Sequence, residues 1–333
     1  MTEEKTAFEG LQEAAGLLPR YQVMTAADAL RPQPPIDWVI GDEGSGLISA
    51  GSLSFAYGVA GHKKTAAMVS MGVCTASGKD WLQFSTGQRA VLFIDEESGP
   101  RRLSRRLGEA LRGELCSADA PISYVSLAGF LMDKAEDVQE VHDLILRTGA
   151  GLVIIDALTD IMSGDENSKQ DTQPIMTELR KIAERTNAAI VVIHHANKSG
   201  GYRGSSAIAG AADLMLQVKS EEQDGNYIEF KTTKTRDIEP VTFGAIAHWE
   251  GSEFYLTPTD AKPKKPSKSA TWLLEYLTSN GPTSTPDLMA AAEAAGVCKG
   301  ATIQKNIQFM TAGKMIYRTN PNDAGRGIEA IYD

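Results

Sequence analysis

The segment Gly58-Val59-Ala60-Gly61-His62-Lys63-Lys64-Thr65 has the residue types and spacing needed to hold a chain of phosphates. Against the pattern G-x-x-x-x-G-K-[ST], Gly58, Lys64 and Thr65 fall in place, and Lys63 stands where the second glycine is expected. In such a loop the backbone amides and the following helix N-terminus surround the phosphates. The lysine reaches the β- and γ-phosphates, and the hydroxyl holds Mg²⁺. Gly58, Gly61, His62, Lys63, Lys64 and Thr65 are therefore the candidate phosphate-binding residues. Lys63 is the departure: where glycine lets the backbone approach a phosphate, a side chain must point outward or the loop must take a variant path. Lys63 and His62 both add positive charge near the phosphates.

Hydrolysis of a phosphoanhydride also needs carboxylates at strand ends, one for the metal's shell and one to polarise water. Asp156 follows the apolar run Leu152-Val153-Ile154-Ile155, the place expected for the metal-shell group. The pair Glu96-Glu97 follows Val91-Leu92-Phe93-Ile94 and reaches the same sheet edge if the strands are parallel. Alone, an aspartate after a buried strand is as often a loop cap as a ligand. Three carboxylates at the ends of apolar strands, behind a phosphate loop, favour function. His194 and His195 close a third apolar run, Ala189–Ile193. They point opposite ways on a strand, so at most one faces the site. Zinc is not expected without spaced partners.

These residues need a scaffold. Ser52–Ala56 is a strand-like run before the loop, and Ala66–Val69 opens a helical pattern after it. The short, wholly apolar runs at 91–94, 152–155 and 189–193 suit strands buried on both faces of a parallel sheet. Between the last two, Ile175, Met176, Leu179 and Ile182 share a helical face over Thr172–Thr186. The expected fold is α/β, a doubly wound, mainly parallel sheet. Tyr227–Lys234 and Val241–Trp249 read as antiparallel strands closing its edge. Residues 1–34 read as a polar, alanine-rich extension with one or two short helices, 35–256 as the main domain, 257–269 as an exposed linker and 270–333 as a separate compact unit.

The 333 residues suffice for such a domain and a smaller one, with 42% hydrophobic residues and no apolar run of membrane-spanning length. The expectation is a soluble, cytoplasmic protein with no membrane partner. Met1–Lys5 lacks the basic and apolar regions of a signal peptide. Cys74, Cys116 and Cys298 form neither a disulfide framework nor a metal-ligand spacing. A net charge of −10 argues against a broad basic surface coating nucleic acid, while a narrow channel stays open.

With these residues in view, the run from Pro35 to Leu216 resembles the RecA-fold ATPases of the RepA-like and DnaB-like replicative helicase group found on plasmids and phages. Ile36-Asp37-Trp38-Val39 with Gly51-Ser52-Leu53 resembles the lead-in to their phosphate loop, and Ser77–Trp81 with Val91–Glu97 their path into the second strand. Ile193–Lys198 resembles their strand-end sensor motif. Arg203–Asp213 resembles the segment from DNA-facing loop to following helix, and Lys231–Arg236 the basic strand that reaches a neighbouring subunit.

The resemblance implies ATP and Mg²⁺ as cofactors, Thr65 and Asp156 at the metal, and Glu97 as the base, with Glu96 in reserve. It puts His195 against the γ-phosphate and makes Lys234 and Arg236 fingers acting in trans. Arg203 could equally contact DNA or a neighbour, and Lys234 with Arg236 could simply be a charged strand edge. The whole implied is a hexameric ring helicase or translocase. Loops near Ser163–Asp171 and Ser199–Ser206 would grip single-stranded DNA in a central channel. A recombination or repair ATPase of the same fold, and a nucleotide-switched DNA-binding initiator or regulator, are the alternatives.

The last unit reads as three helices, over Ala270–Leu277, from Thr283 and over Lys299–Met310. Two strands follow, Met315–Arg318 and Ile328–Tyr332. This order resembles a winged helix-turn-helix. It would offer Lys299, Thr302, Gln304 and Lys305 of its third helix, and Arg326 of its wing, to duplex DNA or a protein partner.

Overall fold

Alternation along the buried strands builds the main unit. A computed structural model describes residues 24–32, 34–196, 201–220, 226–261, 268–312, 316–318 and 328–330. Strands β3 (Leu53–Gly58), β4 (Ala90–Asp95), β6 (Ala150–Asp156) and β7 (Ala189–His195) are buried almost throughout, as their apolar runs require. Odd and even positions serve different layers. Phe93, Ile154 and Val191 pack with helices α2 (Lys64–Ser77) and α3 (Pro100–Gly113). Ile94, Val153 and Val192 pack on the other face with α4 (Ala135–Thr148), α5 (Lys169–Thr186) and α6 (Ser206–Ala211). The helices thus cover both faces, and the doubly wound α/β expectation holds.

Among the described residues the main sheet has nine strands, in the order β11-β10-β9-β8-β3-β7-β6-β4-β5. The six from β8 (Leu214–Lys219) to β5 (Ile122–Ser126) run parallel. Strands β9 (Tyr227–Thr235), β10 (Thr242–Glu250) and β11 (Glu253–Thr259) extend it antiparallel. Adjacency of β3, β7, β6 and β4 brings the C-terminal ends of four parallel strands to one edge, where ligands gather in open α/β sheets. A small antiparallel pair, β1 (Trp38–Ile40) and β2 (Ile48–Ser49), precedes the phosphate loop, and a short helix α1 (Ala26–Ala29) is capped by Thr25. Residues 1–23 of the expected extension lie outside the described residues.

Two corrections concern boundaries. The reading of 257–269 as linker gives way at its start, because Thr257–Thr259 pair with Gly244–Ile246 as the end of β11. Pro258 is tolerated there because β11 is an edge strand, where a missing amide donor breaks no ladder. The chain divides into compact units at Ala261/Lys262. Residues 262–267 lie outside the described residues, and helix already runs from Lys268.

The second unit contains α7 (Lys268–Asn280), α8 (Thr285–Ala294) and α9 (Gly300–Ala312), followed by the antiparallel pair β12 (Ile316–Arg318) and β13 (Ile328–Ala330). Its core joins Leu273 and Leu277 with Leu288, Ile303, Ile307 and Ile316. Ser284 caps α8 by accepting from the Asp287 amide. Among the described residues, no helix is long and apolar enough to cross a membrane.

Candidate active site

The phosphate loop leaves β3 at Gly58. A Cβ there would come within 2.2 Å of the Val218 carbonyl oxygen on the neighbouring β8, so only glycine lets the two strands run this close. Lys63 occupies the left-handed region at φ 60°, ψ 21°, the conformation a glycine would supply, at the residue before α2, and its side chain makes no capping hydrogen bond. Its side chain lines the cleft beside the loop, and Nζ donates to the Ser220 hydroxyl at 2.7 Å. That hydroxyl donates in turn to the Tyr227 carbonyl at 2.8 Å. Lys64 is buried, its ammonium donating to the carbonyls of Gly58 (2.9 Å) and Val59 (3.2 Å). Burial lowers its pKa, while the Asp156 and Glu97 carboxylates oppose that shift.

Parallel register sets Asp95 opposite Asp156 at the ends of β4 and β6. Thr65, in the first turn of α2, donates to Asp156 Oδ2 at 2.7 Å. Asp156 Oδ1 is buried with no hydrogen-bond partner among the described residues. Desolvation pushes this carboxyl up to about 7, the Thr65 bond opposing and the Glu97 and Asp95 charges adding to the rise. A buried oxygen without a partner beside a hydroxyl suits a hard cation, which takes one carboxylate, a hydroxyl and phosphate oxygens. Thr65 and Asp156 therefore fit Mg²⁺.

Of the two glutamates, Glu96 turns away. Its oxygens accept from the amides of Ala128 (3.0 Å) and Gly129 (2.9 Å) in the loop after β5. That contradicts its place as reserve base: the carboxylate is committed to holding a loop. Asp95, which the sequence reading passed over, is buried and caps the same turn, accepting from Ser98, Gly99 and Ser126. Glu97 is left exposed in the cleft, with Lys64, Thr65 and His195.

The adjacent histidines split as strand geometry demands. His195 pairs in register with Gly58 and lines the cleft. His194 is fully buried on the opposite face, its Nε2 2.7 Å from the Arg203 carbonyl oxygen. Arg203 itself forms an ion pair with Glu166, Nε to Oε1 at 2.6 Å. Asn197 and Lys198 of the sensor-like motif lie outside the described residues.

Lys234 and Arg236 do not line this cleft. Lys234 donates to the carbonyls of Ala209 and Ala212 (2.7 Å), and Arg236 to that of Gly210 (2.8 Å). Both lie at the C-terminal end of α6, where carbonyls without helical partners attract cations. Arg236 also pairs with Asp213 at 3.4 Å.

The cleft, about 400 Å³, has walls that sequence reading missed: Arg105 and Arg106 on α3, Trp249 on β10 and Phe254 on β11. Arg106 donates to the Ser98 hydroxyl at 2.7 Å, which ties α3 to the residue after Glu97. Leu103, Leu107 and Ala110 bury one face of α3; Arg106 flanks that face half-buried, and Arg105 is exposed on the other side. Asp160 also lies near Glu97, with a pKa raised by burial and by that charge.

A phosphate loop, a strand-end carboxylate bonded to its threonine and a free glutamate converge on one cleft. A family model described as AAA domain matches residues 17–201, more than half of the chain. The chain belongs to that family. It is a P-loop ATPase with a RecA-like sheet, and no curated protein matches it. In this AAA-domain chain Lys64 and Thr65 open the helix after the loop, and Asp156 closes β6 beside them.

Proposed function

We propose that this ATPase is a ring-forming DNA motor of the RepA-like/DnaB-like kind, a helicase or single-stranded DNA translocase of a plasmid, phage or other mobile element. The observation that carries it is the split of β7. His195 faces the nucleotide cleft, while His194, on the opposite face of the same strand, holds the Arg203 end of a loop at the sheet's edge. A strand gripping the cleft on one side and a loop on the other is what coupling hydrolysis to movement along a strand requires.

ATP with Mg²⁺ would sit on the phosphate loop, held by Lys64, Thr65 and Asp156, where the metal would supply neutralisation of phosphate charge. Lys64 holds the phosphates, Thr65 and Asp156 orient the metal's shell, and Glu97 takes the proton of the attacking water. His195 contacts the γ-phosphate. Arg236 and Lys234 of a neighbouring subunit stabilise charge in the transition state. Loops around 163–171 and 199–206 contact the DNA backbone.

A second reading draws on the C-terminal unit. Three helices and a strand pair, with Thr302, Gln304 and Lys305 exposed on the third helix and Lys299 exposed just before it, suit a winged helix that docks on duplex DNA or a protein. Arg326 of its wing lies outside the described residues. Under that reading nucleotide only switches a DNA-binding initiator or regulator.

The test is ATP hydrolysis with and without single-stranded DNA, followed by strand displacement on a forked substrate, with Lys64→Ala and Glu97→Gln as blanks. Turnover that rises with DNA and vanishes in both variants is expected. Wild-type turnover indifferent to DNA would sink the motor. Sequence-specific duplex binding that survives deletion of residues 35–250 would favour the second reading.

A further inference from the structure

Arg203 already holds an anion, one supplied by the chain itself. Glu166 lies in the stretch between β6 and α5, inside the first of the two loops named above. Its side chain is 8% exposed, yet it pairs with an arginine whose side chain is 51% exposed. The second loop is clasped to it at further points. The Ser205 amide donates to the Glu166 carbonyl at 2.8 Å, and the Arg203 carbonyl meets His194 Nε2. Gly204, at φ +105°, leaves no room for a Cβ, which would come within 3.1 Å of the Glu166 carbonyl oxygen and 2.9 Å of Ile208.

The far side of the same carboxylate is not satisfied. Glu166 Oε2 and His194 Nδ1 are both buried, lack hydrogen-bond partners among the described residues and stand 3.8 Å apart. A buried carboxylate that places one oxygen on a half-exposed guanidinium and leaves the other unpartnered is poorly settled. An arginine so placed presents its fork to any competing planar or tetrahedral oxyanion, and a phosphodiester matches that geometry.

We propose that Glu166 is a resident stand-in for a nucleic-acid phosphate on Arg203, holding the two loops together until the backbone of single-stranded DNA displaces it. The proposal rests on the motor reading for the identity of the ligand. Displacement releases the Glu166 side chain from the second loop and leaves the Ser205 amide on the Glu166 carbonyl as the remaining tie between them. It also leaves the Arg203 carbonyl as the route by which the bound strand acts on His194 and, through β7, on His195 in the cleft. Ser205 continues the linkage, since it caps α6, and the C-terminal carbonyls of α6 hold Lys234 and Arg236.

The experiment measures binding of a fluorescein-labelled oligo(dT) to the full chain by anisotropy, with a non-hydrolysable ATP analogue and Mg²⁺. It compares the wild type, Glu166→Gln, Arg203→Gln and the double variant. Glutamine keeps the volume and the amide contacts of the loop but not the charge, and a thermal melt of each variant checks folding. Glu166→Gln is expected to bind the oligonucleotide several-fold more tightly than wild type, and the gain to disappear in the Arg203→Gln background. A role confined to folding would weaken binding in Glu166→Gln instead of strengthening it. Unchanged or weaker binding by Glu166→Gln, or a gain that persists without Arg203, overturns the proposal. If neither wild type nor Glu166→Gln binds the oligonucleotide, the motor reading itself falls and takes this inference with it. If wild type binds and Glu166→Gln binds no better, only this inference falls.

Discussion

At the scale of single residues, Asp156 shows how function and stability oppose each other. Its carboxyl, pushed up to about 7 by burial, is better accommodated neutral than charged in the folded chain. Between the ordinary carboxylate value and about 7 the folded state therefore binds the proton that the unfolded state releases. Stability from this group is present at low pH and is lost as pH rises through about 7, beyond which the cost of a buried charge is in full force. A rise from 3.8 to about 7 corresponds to about 4 kcal/mol at most. Asparagine is neutral at every pH and can still accept from Thr65. Metal-free Asp156→Asn should therefore melt several degrees above wild type at pH 8, with the gap closing towards pH 5, while Mg²⁺-dependent turnover disappears. Melting curves at the two pH values decide it, and a wild type as stable as the variant at pH 8 would refute the burial argument. The same linkage makes Mg²⁺–nucleotide binding release a proton below about pH 7, since the metal needs the ionised form.

At the scale of elements, the loop joining β3 to α2 carries the one substitution that departs from its pattern. A lysine held in the left-handed region costs roughly 1 kcal/mol relative to glycine. The Nζ–Ser220 hydrogen bond returns about the same amount. Lys63→Gly removes both and should leave the unfolding free energy within about 1 kcal/mol of wild type. Lys63→Ala keeps the strain and loses the bond, so it should be the least stable of the three by about 1–2 kcal/mol. Urea denaturation of the three proteins gives the order, and an alanine variant matching the glycine one would show that the bond contributes nothing.

Elements also explain what was legible beforehand. Strands β4, β6 and β7 are apolar throughout because both faces are covered, and such runs announce themselves. The loop, Asp156 and Glu97 follow from them by position. Half-buried β5 has no such signature, and Pro258 disguised the end of the edge strand β11, Thr257–Thr259, as linker. Glu96 and Glu97 are indistinguishable as neighbours in a sequence. Only the loop after β5, approaching in three dimensions with two free amides, takes Glu96 out of the site. Arg106 and Trp249 reach the cleft because α3 packs against β11 at the antiparallel end of the sheet, a proximity that no local pattern encodes.

At the scale of the whole molecule, the geometry separates two sets of groups that phosphoryl transfer would use together. Lys64, Thr65, Glu97 and His195 line one cleft, whereas Lys234 and Arg236 lie at the end of α6 and do not line it. Under the proposed ring the cations act on a neighbouring copy, so that each active site is shared. Mixing variants can expose that sharing. Lys64→Ala has a disabled phosphate loop but intact cations; Arg236→Ala has the reverse. Arg236 suits this use because it is substantially exposed, so its loss should disturb folding less than loss of Lys234, which anchors several carbonyls. Each variant alone should be nearly inactive. In a mixed ring, however, some interfaces pair the intact loop of Arg236→Ala with the intact arginine of Lys64→Ala. ATP turnover in the mixture should therefore exceed the sum of the two separate proteins, rise with time as subunits exchange, and fall when the mixture is diluted below the assembly threshold. Turnover equal to the sum would mean that Arg236 serves only its own chain, as the partner of Asp213 and the cap of α6.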